Sequence, residues 1–454
     1  MNPLETKRAE HLCSMLRVFM TEPLDERTLP IFYYDKTMAI RTGDEWDSPL
    51  LDLYDACTTP KDNNAHLLLG HSGCGKSTEL YNLKLKLEDS EHPVWKINCM
   101  METDFNHIDH WDIMLLITVG LCHIADDRSI NIPYEVLDAI FDLLESDTEI
   151  IEKTDGSSSV GLSAGAHVKT PSLLSGVVKL FAGITSDFKA SQSRSTTIKK
   201  KIERRASDWI NYTKEISNRI TSGCGGKQPI LIFEDLDKLP RPEKSFEIFR
   251  YNVLAQMPFP IIYTFPISQF YSTDFATIRA FYTHHVLPMI KVSNKDRSGN
   301  TDGIDVMRKI VQKRADMRLF DDALNLLIVK TGGSLRDLFK GIMSAATRAS
   351  RRGASQIEVE DAERTSQIEG EDAERALSDL AYELTSRISQ KDYQMLKNIY
   401  CDQRYREQVP DKAFLVEMMR SLVVLEYRNK KRWHDVHPLI ADFLIEQGVI
   451  CESD

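Results

Sequence analysis

The chain has 454 residues, of which 42% are hydrophobic and 28% charged, and its formal net charge is -11. Single cores stop growing near roughly 250 residues, so a chain of this length calls for about two to four domains. The acidic balance disfavours a protein that coats nucleic acid by bulk electrostatics, leaving local basic patches open to DNA or RNA, and no apolar run approaches the roughly 20 residues of a membrane-spanning helix. The segment Met1-Asn2-Pro3-Leu4-Glu5-Thr6-Lys7-Arg8 has no apolar stretch of the secretory kind. The eight cysteines are scattered without a Cys-x-x-Cys pair. Reduced thiols in a cytoplasmic protein that does not enter the membrane are the expectation.

In chain order, residues 1–62 read as a helical and irregular lead-in ending at the turn-rich Thr58-Thr59-Pro60-Lys61-Asp62-Asn63-Asn64. His66-Leu67-Leu68-Leu69 is a short strand bounded by glycine, and a helix follows with Leu80, Leu83, Leu85 and Leu87 at helical spacing. A second strand is expected at Val94-Trp95-Lys96-Ile97-Asn98-Cys99, with a helix through Trp111 to Cys122, the alternation of a parallel sheet. An insertion then spans about 126–228. It contains the Gly/Ser-rich 155–161, an apolar small-residue stretch at 175–183 that reads as a hairpin, an assembly contact or a surface loop, and a polar helix over Thr196–Ile220. The Lys199-Lys200-Lys201 and Arg204-Arg205 clusters read as a solvated face of that helix.

The sheet resumes at Pro229-Ile230-Leu231-Ile232-Phe233 and at Pro260-Ile261-Ile262-Tyr263-Thr264-Phe265, with a further strand expected over Val286–Val292. The core is therefore placed at 63–302, an all-helical lid at 303–376 and a last domain at 377–454. One tandem repeat is present, Ser355–Arg364 and Ser366–Arg375. It reads as a local duplication lengthening a connection, since two copies make no solenoid. The expected class is α/β, a parallel sheet flanked by helices, followed by the lid and a small C-terminal domain.

Chemistry concentrates in Gly70-His71-Ser72-Gly73-Cys74-Gly75-Lys76-Ser77, the string Gly-x-x-x-x-Gly-Lys-Ser. Glycines there turn successive backbone N–H groups inward around a β-phosphate at the positive end of the following helix. Lys76 is expected to neutralise the β- and γ-phosphates and Ser77 to ligate Mg²⁺, with Thr78 completing the nucleotide-binding set. The string lies between a predicted strand and a predicted helix, the context this chemistry requires. The second element is Ile230-Leu231-Ile232-Phe233-Glu234-Asp235-Leu236-Asp237-Lys238, a buried strand ending in acids, the Walker B arrangement. Glu234 is assigned to the metal and Asp235 to activation of the attacking water, with an exchange of the two roles left open because the metal residue is usually Asp. Asp237 reads as a surface or interface acid. Thr264 at a strand end is a candidate γ-phosphate contact or a plain β-branched strand residue. In Thr331-Gly332-Gly333-Ser334-Leu335-Arg336 the arginine opens a helix and is placed to couple the lid to the phosphates.

This order of elements resembles the AAA+ ATPases, especially their initiator-like branch. The acidic string and the phosphate loop also resemble those of the STAND and KAP-type NTPases of bacteria. The resemblance covers about residues 30–376, and it implies ATP and Mg²⁺ as cofactors, homo-oligomer formation, Thr264 as sensor 1 and Arg336 as sensor 2. It also implies an arginine donated to a neighbouring subunit's nucleotide, for which Arg279 is the candidate and Arg297 the fallback. The long separation of the two Walker elements and the duplicated lid terminus depart from the pattern.

The last domain shows helices near Leu377–Leu384, Asp392–Tyr400 and Lys412–Leu422, then strands Val423–Tyr427 and Arg432–Val436, and so resembles a winged helix. The helix Asp411–Arg420 is poor in base-reading side chains, which favours a protein partner over DNA. His434 and His437 read as packing residues. The leading functional expectation is an ATP-hydrolysing switch that couples nucleotide state to assembly and to a protein or DNA partner, in bacterial defence or DNA transactions. The alternative is a nucleotide-sensing DNA-binding or scaffold protein with little hydrolysis. A P-loop kinase is disfavoured by the helical lid.

Overall fold

The computed structural model describes residues 8–59, 64–145, 199–200, 202–241, 243–356 and 367–451. The stretches 155–161 and 175–183 lie outside these residues, as does the first repeat copy beyond Gln356. Among the described residues no helix is long and apolar enough to cross a membrane.

Five parallel strands form one sheet, β1 (Ala65–Gly70), β2 (Val94–Asn98), β3 (Ile230–Glu234), β4 (Ile261–Pro266) and β5 (Thr283–Val286). Their spatial order is β2-β3-β4-β1-β5. Strands β1, β3 and most of β4 are buried throughout, so both faces carry helices, as the near-continuous Leu, Ile and Phe runs require. The register matches Leu68 with Thr264 and Phe233 with Tyr263, which puts Glu234 and Thr264 one step beyond the last β3–β4 pair. The phosphate string, Thr264 and the acids of β3 thereby emerge at the same carboxyl-terminal edge of three neighbouring strands, where ligands of open parallel sheets sit.

The helix His110–Asp127 covers β2 and β3 and is buried almost all round. Its N-terminus is fixed by the Asp109 carboxylate, which accepts from the amides of Trp111 and Asp112. In the insertion a long helix runs Ala206–Gly223, and residues 199–200 and 202–204 are helical as well. Lys199 is no freely solvated cation, since its ammonium lies 2.7 Å from Asp112 and 3.1 Å from Asp109.

The fifth strand ends at Val286 instead of running to Val292. Pro288 has no N–H to give to a ladder, so pairing with β1 stops just after Leu287 donates to the Leu69 carbonyl. The buried 287–292 segment passes beneath the phosphate loop and the lid. The segment expected as a lid holds the helices Thr301–Gln312, Ala323–Lys330 and Leu335–Gln356. Between the last two, Gly333 has φ +83°, and a Cβ there would stand 1.8 Å from the Ile290 carbonyl oxygen. Only glycine permits that approach.

The C-terminal part holds helices Gly370–Thr385, Gln390–Cys401, Gln403–Glu407 and Lys412–Arg420, then the antiparallel pair β6 (Val424–Arg428) and β7 (Arg432–Val436), and a closing helix Pro438–Glu446. The second repeat copy enters the fold through Ile368, whose amide donates to the Leu319 carbonyl, and continues as the helix Gly370–Thr385.

Candidate functional site

The loop after β1 closes around its own lysine. The Lys76 ammonium donates to the carbonyls of Gly70 at 2.8 Å and His71 at 2.9 Å. It also pairs at 2.9 Å with Asp237, both side chains being 6% exposed or less. Asp237 is therefore a buried site acid and not the surface or interface acid expected from sequence: the single helical turn Leu236–Lys238 swings it back beneath the loop. Burial is the largest single influence and would raise the Asp237 carboxyl, but the Lys76 charge and hydrogen bond, joined by Lys238 and Thr264, together hold it below the usual carboxylate range. By the same pairing Lys76 is held above its ordinary value despite its own burial.

Three acids of the β3 motif each carry a lysine. Glu234 Oε2 is held by Lys96 of β2, Asp235 by Lys238 at 2.5 Å, and Asp237 by Lys76. Asp235 adopts φ +70°, a left-handed conformation that turns the chain out of the strand. The Ser77 hydroxyl lies beside the Glu234 carboxylate. Burial is the main reason the Glu234 carboxyl stands above its ordinary value, with Lys96 opposing. Glu234 Oε1 is buried without a hydrogen-bond partner, and so is the Thr264 hydroxyl, which faces Asp237 without closing a normal bond. A shielded carboxylate oxygen beside a serine hydroxyl is an oxygen donor set suited to Mg²⁺.

The loop opens onto a cleft. Ser72, Gly73, Gly75, Lys76, Ser77, Thr78 and Asp237 line one end, and Arg336 and Leu335 of the lid overhang them. The lead-in also walls the cleft, through Pro23, Leu24, Tyr33 and Tyr34, as do Arg314 and Phe339. Arg336 donates to the Ser72 hydroxyl, and its backbone packs so closely on the loop that a Cβ on Gly73 would lie 2.7 Å from Arg336 Cβ.

These features decide the fold. It is a P-loop NTPase fold. No protein-family model and no curated protein matches the chain. Among solved structures, a Walker-type ATPase of Pyrococcus abyssi matches with a TM-score of 0.43 and 13% identity, over 94% of this chain and 99% of that one. That likeness is too low to carry an argument, and the assignment rests on the sheet, the loop and the acids.

Within this P-loop fold sequence reasoning missed several residues. Arg41, 1% exposed, donates to the Cys74 and Pro288 carbonyls and braces the loop from below. Tyr33 donates to Glu79 at 2.8 Å, and the Leu24 amide to the Thr78 hydroxyl at 3.4 Å. These contacts make the lead-in a wall of the site.

The C-terminal hairpin also reaches the loop. The Glu426 amide donates to His71 Nε2 at 2.8 Å, and Tyr427 donates to the Gly332 carbonyl at 2.7 Å. Glu426 is fully buried, accepts from Tyr271 at 2.5 Å and lies 3.7 Å from Arg432. Burial, aided by Lys76 and His434, pushes the His71 pKa down to about 3, so the ring is a neutral acceptor. Burial also takes His434 and His437 to about 4. Both pack inside the structure, and among the described residues no group of three or more His, Cys, Asp or Glu is placed to hold a metal ion.

Arg279 ends the short helix Phe275–Arg279, is exposed, and lies outside the cleft lining. Arg297 bonds Asp435 at 3.2 Å, with its guanidinium carbon 3.0 Å from the Tyr400 ring centre. That engagement is internal to the chain.

Proposed function

We propose that this chain binds and hydrolyses ATP with Mg²⁺ and uses the nucleotide state to set the position of its lid and C-terminal part. The observation that carries the reading is the double grip on the phosphate loop. The lid holds Ser72 through Arg336, and the C-terminal hairpin holds His71 through the Glu426 amide. A phosphate arriving at Lys76 competes with Asp237 and the loop carbonyls, so both grips lie within one or two loop positions of the change. Lys76 takes the β- and γ-phosphates, Ser77 and Glu234 the metal, which supplies charge neutralisation at the phosphates. Asp235 orients the attacking water once Lys238 lets go, and Thr264 with Asp237 lies toward the γ-phosphate.

Homo-oligomer formation, with Arg279 offered to a neighbour, and engagement of a protein or DNA partner through a winged-helix-like end belong to the same reading. The hairpin tip supports it only in part. Arg428 is spent on Asp47, whereas Lys430 and Lys431 are exposed. Cytoplasmic defence or DNA transactions would suit such a switch.

One observation favours a second reading, a nucleotide-sensing scaffold with little hydrolysis. Glu234 and Asp235 are both already neutralised by lysines. ATP turnover of the wild type against Lys76→Ala and Asp235→Asn separates the two. The switch predicts measurable turnover lost in both variants. Tight binding by the wild type, with the same negligible turnover in all three proteins, would leave only the scaffold.

A further inference from the structure

The pairing of each acid of the β3 motif with its own lysine leaves the site electrically balanced, and one pair is unlike the others. Lys76 belongs to the phosphate loop and Lys238 follows the acids directly, but Lys96 projects from the middle of the neighbouring strand β2. Its ammonium sits on Glu234 Oε2, while Oε1 of the same carboxylate lies buried without a hydrogen bond and the Ser77 hydroxyl lies near the carboxyl group. Glu234 is longer than aspartate by one methylene, and that reach brings its carboxylate to Lys96. The Lys96 side chain is 22% exposed, against 3% for Glu234. The same ammonium stands 5.6 Å from the centre of the Tyr81 ring, on the helix that follows the phosphate loop. A lysine so placed has somewhere to go: it can leave the carboxylate and keep a cation–π contact.

We propose that Lys96 is a built-in substitute for the divalent cation at Glu234, which lets the site take up nucleotide without metal and withdraws toward Tyr81 when the metal is present. The inference deepens the nucleotide-binding reading and rests on it. Its physical basis is like-charge repulsion. A polyphosphate entering beside a bare, buried Glu234 meets an unpaired negative charge, since Asp235 is already held by Lys238. Lys96 cancels that charge in the absence of metal and is superfluous in its presence. Lys96 is thus a positioning residue, whose effect falls on the metal dependence of binding.

The test is calorimetric binding of a non-hydrolysable ATP analogue to the full chain, once with excess Mg²⁺ and once with chelator. The ratio of the two dissociation constants is the readout. Lys96→Met should raise that ratio by about tenfold or more through the chelator arm alone, because the repulsion returns only where no metal offsets it. Lys96→Arg should keep the wild-type ratio. The double variant Lys96→Met/Glu234→Gln removes both charges and should recover binding in the chelator arm. This variant also covers instability of the single one, since deleting a buried pair entirely is far milder than stranding one partner. An unchanged ratio in folded Lys96→Met, or equal losses in both arms, would overturn the proposal while leaving nucleotide binding intact. No uptake by wild type in either arm would overturn the nucleotide-binding reading and this proposal with it.

Discussion

Asp237 and Lys76 hold one another in a space from which water is nearly absent, at 5% and 6% side-chain exposure. Removing one charge strands the other, and breaking such a buried pair costs about 3–5 kcal/mol. Asp237→Asn is accordingly expected to lower Tm sharply in a thermal melt. A nucleotide's phosphates bring a replacement negative charge to Lys76, so ATP with Mg²⁺ should stabilise Asp237→Asn by more degrees than it stabilises wild type. Equal nucleotide shifts in the two proteins would mean that Lys76 does not receive the phosphates. Lys76→Ala removes charge-assisted contacts worth roughly 1.5–3 kcal/mol, a loss of about ten- to hundredfold in nucleotide affinity.

Between elements, the joint of hairpin, loop and lid is built on neutral histidines. His71, His434 and His437 titrate at about 3, 4 and 4, each lowered chiefly by burial, against about 6.5 in an unfolded chain. A lowered histidine favours the folded state fully above the unfolded value and loses that contribution as pH falls toward the folded one. Stability should therefore drop from about pH 6.5 toward pH 4, by up to roughly 1.4 kcal/mol per pH unit for each histidine. Thermal melts between pH 7.5 and 5 check this, and His434→Phe should flatten the slope by one histidine's share. A second element-scale test is Gly333→Ala, which sets a Cβ 1.8 Å from the Ile290 oxygen at φ +83°. We expect a loss near 3 kcal/mol in denaturant unfolding, from overpacking and left-handed strain together. The phosphate loop and its flanking strand and helix were readable in the sequence because a tight turn of backbone amides needs glycines and lysine at fixed local spacing. Lys96, Arg41 and Tyr33 were not, since each reaches the site from a separate element and nothing local marks the contact. The misplaced end of β5 has a readable cause in Pro288, which the apolar run around it obscured.

For the whole molecule, the lead-in, lid and C-terminal hairpin all touch the loop that follows β1. The order of acids and phosphate loop was legible because both sit on strand ends, but their meeting depended on β4 lying between β1 and β3, a choice of topology no local pattern states. The docking of Glu426 on His71 spans most of the chain and left no sequence signal of its own. The most direct measurement is calorimetric titration of the full, folded chain with a non-hydrolysable ATP analogue and Mg²⁺, beside Lys76→Ala. The account predicts saturable uptake at one site per chain that the variant loses. Absence of any nucleotide uptake by the folded wild type in the presence of Mg²⁺, or undiminished uptake by the variant, would contradict it.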